Sequence, residues 1–333
     1  MRRRLAGQVV VLTGASSGIG LCTARYLAVR GCRLVLTARS ADALAQVRHE
    51  LVEGGAEAEA VPADVTSESE LRRVADTAVE RFGRIDTWVN GAAVYAQAGV
   101  SDLPLDDYRR LIDVNLVGTI NGTRQALRVM RRQGEGVVVQ VSSIVALRGA
   151  PWASAYSATK QGVDGFTEGV RAELWGTGVR VSTLYLPAVD TPIYQHAAAR
   201  LGTVPQPPPP VADPERVAAA IAGLARTGRR HQHVGRFHLL YAGPNRISPA
   251  LGDWFVQHTV EFTRSGRPAG SNNLHEPTGL PPRVRGGWRQ RGWRGVTLTD
   301  TVRVLPVETA LGAAALLLGA VWSGRKLWNH VRG

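Results

Sequence analysis

Four consecutive apolar residues, Val9-Val10-Val11-Leu12, run into Thr13-Gly14-Ala15-Ser16-Ser17-Gly18-Ile19-Gly20 and then into Leu21-Cys22-Thr23-Ala24-Arg25-Tyr26-Leu27-Ala28. An unbroken apolar run of this length reads as a strand buried on both faces, and the periodic segment after it reads as a helix. Between them, glycines let the backbone turn tightly and approach a ligand closely. The helix N-terminus adds free N–H groups and a dipole that favours a pyrophosphate. The unit predicted is strand, phosphate cradle and helix, with Thr13, Gly14, Ser16, Ser17, Gly18, Ile19 and Gly20 as cofactor-binding candidates.

The same alternation continues along the chain. Strands are predicted at about 33–37, 58–62, 86–90, 136–142 and 179–185, with helices near 18–30, 41–53, 67–82, 105–132 and 154–175. Asp213-Pro214-Glu215 supplies an N-cap, a proline at the first helical position and an early acid for a further helix from Val217 to Ala225. A final strand is placed at Phe237-His238-Leu239-Leu240-Tyr241. The fold class that follows is α/β, a Rossmann-type doubly wound parallel sheet of about seven strands with helices on both faces. Residues 5–242 form the expected catalytic domain, 243–303 an arginine-rich, partly disordered extension, and 304–333 an apolar helix. The content of 44% hydrophobic and 20% charged residues is ordinary for a globular protein. Cys22 and Cys32 have no metal-ligand spacing, so no metal is expected and a reducing cytoplasm suits the chain.

Only two of the forty cationic side chains are lysines. One of them, Lys160, follows Tyr156 by four residues on a predicted helix, where i and i+4 share a face. An ammonium there favours the phenolate and is expected to lower the tyrosine pKa from about 10 toward the range of a general acid/base. The second predicted strand ends Leu34-Val35-Leu36-Thr37-Ala38-Arg39-Ser40. An NAD site calls for an acid here to hold the ribose 2′-hydroxyl, but Ala38 stands in its place. Arg39 follows, and its planar fork suits a 2′-phosphate, so NADP(H) is favoured over NAD(H). The alternative is a solvated Arg39. Asp64, in Asp64-Val65 after the third strand, is either a ligand or the cap of the next helix.

Over about residues 5 to 242 these motifs resemble the compact branch of the short-chain dehydrogenase/reductase family. Thr13, Gly14, Gly18 and Gly20 match that family's glycine turn, and Tyr156 and Lys160 match its Tyr-x-x-x-Lys pair. Ser143, in Val141-Ser142-Ser143, matches its catalytic serine, Asn115 its structural and proton-relay asparagine, and Asp64-Val65 its adenine-contacting pair. Pro187-Ala188-Val189-Asp190-Thr191-Pro192 matches its nicotinamide segment, with alanine for glycine. The family's Asn-Asn-Ala-Gly is here Asn90-Gly91-Ala92-Ala93, which keeps the first asparagine and alters the turn. Asn90, Gly91, Pro187, Val189 and Thr191 join the cofactor candidates. The resemblance implies an NAD(P)(H)-dependent oxidoreductase interconverting an alcohol and a ketone or aldehyde, assembled as a homo-dimer or tetramer. It gives Tyr156 the role of general acid/base and has Ser143 hydrogen-bond the carbonyl oxygen. Lys160 would hold the nicotinamide ribose, and Asn115 a water. A non-catalytic nucleotide-binding regulatory or scaffold protein at a membrane is the competing reading.

The substrate is read as a moderately hydrophobic small molecule, with Tyr194 and His196 near it and Leu147 and Trp152 as an apolar wall. Formal net charge is +13, and residues 226–303 carry thirteen arginines against four acids. The Arg/Trp/Gly run at 283–294 shows no recognisable nucleic-acid module, so no nucleic-acid partner is assigned; a solvated extension or contact with an anionic membrane surface accounts for it. Asn272-Asn273-Leu274-His275-Glu276-Pro277 has no reading. Uncharged residues from Thr309 to Gly324 would make a helix of about 24 Å, short of a hydrocarbon core of about 30 Å. That helix either attaches the chain to the cytoplasmic face of a membrane or packs on protein.

Overall fold

The computed structural model describes residues 3–288 except 209, 261 and 262, so the apolar helix expected at 304–333 lies outside the described residues. The chain divides into two compact units, Met1–Gly295 and Val296–Gly333, and all that follows concerns the first. It begins β1 (Val9–Thr13), α1 (Gly18–Ala28), β2 (Arg33–Thr37), α2 (Ala41–Glu53), β3 (Ala58–Ala60), α3 (Glu68–Phe82), β4 (Thr87–Asn90) and the short β5 (Ala96–Gln97). Then come α4 (Leu105–Ile112), α5 (Gly118–Gln133), β6 (Glu135–Ser143), α6 (Ser154–Glu173), β7 (Gly178–Leu186) and the short β8 (Ala198–Ala199) and β9 (Thr203–Pro205). Last are α7 (Pro214–Thr227), β10 (His231–His233), α8 (Phe237–Ile247), α9 (Pro249–Val260) and β11 (Arg264–Pro268).

Seven strands form one parallel sheet in the order β10-β7-β6-β4-β1-β2-β3. The unbroken apolar character of β1 is explained by burial on both faces. Val9 and Val11 pack with Leu71 and Val74 of α3 and Met130 of α5, whereas Val10 and Leu12 pack with Leu21 and Leu27 of α1 and Ile221 of α7. That is the period-2 alternation of a strand, with apolar partners on either side. The chain leaves β1 toward β2 on one side while β4 lies on the other, so the crevice at the carboxyl ends of β1 and β4 is the topological switch point.

Two expectations are corrected. Phe237-His238-Leu239-Leu240-Tyr241 opens helix α8; the seventh strand is the polar segment His231–His233, paired with Thr183, Leu184 and Tyr185 of β7. A five-residue apolar run does not tell strand from helix, and Gly235, at φ 79°, turns the chain between them. The predicted helix over 105–132 is interrupted: a π-helical turn, Asp113–Val117, separates α4 from α5 and carries Asn115. Among the described residues no helix is long and apolar enough to cross a membrane.

Candidate active site

A cavity of about 630 Å³ runs along the carboxyl ends of the sheet from the glycine turn to Tyr156. At its floor the backbone is tightly packed. Gly14 and Gly18 adopt φ of 72° and 53°, and a Cβ on Gly20 would stand 2.1 Å from the Gly14 carbonyl oxygen. A Cβ on Gly14 would meet Ala92 Cα at 2.8 Å, so the turns after β1 and β4 press on each other. Thr13 Oγ1 joins them by accepting the Gly91 and Ala92 amides at 3.0 and 3.1 Å. The altered Asn90-Gly91 turn now has a reason, since any side chain at 91 would approach the Thr13 carbonyl oxygen to 2.9 Å. Ser17 stands at the N-cap of α1 without a side-chain cap bond.

Farther along, Arg39 and Asp64 line the same cavity. Asp64 accepts from Arg110 Nη2 at 2.6 Å and from the Thr66 amide and hydroxyl at 2.9 and 2.8 Å. Burial alone would raise this carboxyl, but the Arg110 and Thr66 hydrogen bonds outweigh it and hold its pKa low. The cap of α3 is Ser67, which accepts the Glu70 amide, so Asp64 does not cap that helix. Burial, then the neighbouring Arg110 charge, pulls the Arg39 pKa below the usual arginine value.

Tyr156 and Lys160 sit on α6 with the ammonium 5.6 Å from the phenol ring centre. Lys160 is 4% exposed and donates to the Val141 carbonyl at 3.0 Å. Burial lowers its pKa to about 8 and drives the phenol of Tyr156 upward. The expected lowering of the tyrosine is thus corrected: in the free chain, desolvation of the phenolate outweighs the nearby cation and pushes the Tyr156 phenol upward. Ser143 lines the cavity at the end of β6, its hydroxyl accepting the Val145 amide at 3.3 Å. Asn115 does not reach the cavity. Its side chain clamps Val94, accepting from the amide at 2.9 Å and donating to the carbonyl at 3.0 Å, and reaches Thr159 beside Lys160 at 3.3 Å.

Most of the residues expected from sequence meet at this one cavity; Ile19, Val65, Pro187, Val189 and Thr191 line it together with the groups above. Thr13, Asn90 and Asn115 stand behind it. Asn90 donates to Gln140 and Thr123 and accepts from Trp88 in the core, which makes it a buried polar brace. The expected apolar wall of Leu147 and Trp152 is absent from the lining. Instead Ile144, Val145, Tyr95, Tyr194, Phe237, Tyr241 and Phe255 enclose the end near Tyr156. Tyr95 meets Tyr156 edge-on at 5.1 Å and Tyr194 at 5.8 Å. No local motif marks Tyr95, Phe237 or Phe255; they arrive from separate elements, two of them beyond the seventh strand. His196 also lines the cavity, and burial followed by the Arg283 charge lowers its pKa.

The profile of the short chain dehydrogenase family matches residues 8–201, more than half of the sequence. The chain belongs to the short-chain dehydrogenases. An oxidoreductase of Bacillus subtilis (YxnA) is 34% identical in an alignment covering 97% of this chain and 92% of the relative, extension included. A 3-oxoacyl-[acyl-carrier-protein] reductase of Synechocystis is 34% identical over 66% of this chain and 90% of its own length. Among solved structures, an alcohol dehydrogenase from the archaeon Thermococcus sibiricus complexed with 5-hydroxy-NADP superposes with a TM-score of 0.60 at 28% identity, covering 68% of this chain and 95% of that one. A metagenomic short-chain oxidoreductase in complex with NADP gives 0.58 at 28% identity, over 69% and 96%. As a short-chain dehydrogenase the chain is an NAD(P)-dependent oxidoreductase. Its cradle fits such a group, because Gly14, Ser16, Ser17, Gly18 and Gly20 line the cavity at the N-terminus of α1, where the helix dipole favours a pyrophosphate. The reading as a non-catalytic scaffold at a membrane finds no support.

Proposed function

We propose that this short-chain dehydrogenase interconverts an apolar ketone or aldehyde with its alcohol, preferring NADP(H), with Tyr156 as general acid/base. One observation carries the reading: Tyr156 and Lys160 stand in a single cavity that joins a phosphate cradle at one end to an aromatic chamber at the other. Bound along the cradle, a nicotinamide dinucleotide supplies or takes up the hydride. The chain's residues do the rest. Tyr156, held neutral by burial, gives its proton to the carbonyl oxygen during reduction and recovers it during oxidation. Ser143 offers its hydroxyl to the same oxygen, where negative charge develops. Lys160 donates to the nicotinamide ribose and keeps a positive charge beside the phenol. Asn115 acts as a positioning residue, tying Val94 to the start of α6. Arg39 and the absence of an acid at Ala38 support the 2′-phosphorylated cofactor.

The apolar chamber supports an apolar substrate, because transfer of hydrocarbon from water into it is favourable by about 25 cal/mol per Å². Screening the purified chain with NADPH against apolar ketones, aldehydes and small polar carbonyl compounds tests both parts. Turnover confined to small polar compounds would overturn the substrate reading, and absence of hydride transfer throughout would overturn the reaction. The same reading takes a homo-dimer or tetramer as the assembly, which light scattering of the purified chain decides.

A further inference from the structure

The segment Asn272–Trp288, whose first residues 272–277 had no reading from sequence, crosses the dinucleotide cleft as a strap. It is pinned at both ends. Leu274 is 1% exposed and belongs to the core beneath β1 and α4, and His275 Nε2 lies 2.9 Å from Asp107 Oδ1. At the other end the Gly286 and Trp288 amides donate to Asp190 Oδ1 at 3.1 and 2.9 Å, and the Trp288 indole donates to the Thr191 carbonyl at 3.1 Å. Between the anchors the Arg283 carbonyl accepts from the Gly18 amide at 2.9 Å, so the strap touches the glycine turn itself.

What the strap does to Arg39 is specific. Nη2 donates to the Asn273 carbonyl at 2.5 Å, and Nη1 to the carbonyls of His275 at 2.8 Å and Leu274 at 3.4 Å. The Leu274 carbonyl also accepts from Arg110 Nε at 3.1 Å, and Arg110 is in turn paired with Asp64. Three strap carbonyls therefore accept from the two terminal nitrogens of Arg39. Its Nε has no hydrogen-bond partner among the described residues, which leaves the side edge, Nε with the second Nη2 proton, for a bidentate anion. Carbonyl dipoles restrain the guanidinium without neutralising it, and its rotamer freedom is given up on folding rather than on binding.

We infer that the strap carbonyls of Asn273, Leu274 and His275 determine cofactor selectivity, by holding Arg39 with its side edge free for a 2′-phosphate. The inference rests on the NADP(H) reading above. Titration of the full-length chain with NADPH and with NADH, for the wild type, Leu274→Ser and His275→Ala, tests it. Leu274→Ser keeps the backbone carbonyl but loses the buried side chain that anchors it, and should weaken NADPH binding by about tenfold while leaving NADH within about twofold. His275→Ala should act in the same direction, more weakly, and keeps the test open if Leu274→Ser does not fold by circular dichroism. In an Arg39→Ala background neither change should have a further effect. Equal losses for both cofactors would reduce the strap to a plain wall, and tighter NADPH binding in the variants would make its carbonyls competitors of the phosphate; either overturns the inference. A wild-type chain that binds neither cofactor, or binds NADH as tightly as NADPH, overturns the NADP(H) reading instead.

Discussion

At the scale of single residues, burial and charge compete at Tyr156 and Lys160, and burial prevails for both. Replacing Tyr156 by Phe should lower kcat for carbonyl reduction by about 10²- to 10⁴-fold, the usual worth of a positioned proton donor, with the NADPH Kd unchanged. Steady-state rates beside a fluorescence titration check this, and a variant with full activity would remove Tyr156 from the reaction. Lys160 carries its charge below about pH 8 and loses it above, because its folded pKa is depressed by desolvation. A ligand that uses the ammonium binds the protonated form better, so NADPH affinity should fall as pH rises through that value. Lys160→Met should flatten the profile between about pH 6.5 and about pH 9.5, while Tyr156→Phe keeps the step. A step that survives in Lys160→Met would belong to another group. The spacing of these two residues singled them out only in company with the glycine turn and the other motifs. Their proton affinities were not legible in sequence, since the extent of burial depends on Tyr95, Tyr194 and the neighbouring elements that close over them.

At the scale of elements, the clearest departure from sequence expectation is the π-helical turn between α4 and α5. Apolar periodicity passes through this region without a break, so it reads as one helix. The turn presents Asn115, fully buried, to both polar backbone groups of Val94 and to Thr159. Asn115→Ala would leave that amide and carbonyl buried and unpaired, at about 1–3 kcal/mol each. Urea unfolding should show a lower midpoint at an unchanged m-value, and an unaltered midpoint would deny the clamp. The loop after β4 makes a second case. Gly91→Ala would bring a methyl group against the Thr13 carbonyl oxygen and push apart the two turns that floor the cradle. Cofactor affinity is expected to drop with little change in unfolding midpoint, as titration beside urea unfolding would show. A glycine in the place of the family's second asparagine looked like a loss in sequence; in the fold it is a steric requirement.

At the scale of the whole molecule, residues beyond the seven-stranded sheet complete the site. Helices α8 and α9 bring Phe237, Tyr241 and Phe255 to the substrate end, and the strap brings Arg283 and Leu280 to the cofactor end. A chain ending at Gly295 retains every described element of the first unit and is the reference for a shorter one. One ending at Pro268 loses the Leu274 and Trp288 anchors and should melt lower and bind cofactor more weakly; equal behaviour would deny the extension a part in the site. Part of the arginine excess also finds partners in this unit, where Arg285 pairs with Asp213 and Glu215. By itself the sequence determined the α/β class and the glycine cradle, because these rest on local rules of glycine conformation and strand burial, and it pointed to Tyr156 and Lys160 through helical spacing together with the motifs around them. Only the tertiary structure decided that burial drives the Tyr156 phenol upward, which side chains enclose the cavity beside it, and what holds Arg39. Those depend on solvent exclusion and on contacts between segments as much as 236 residues apart, which no local pattern encodes.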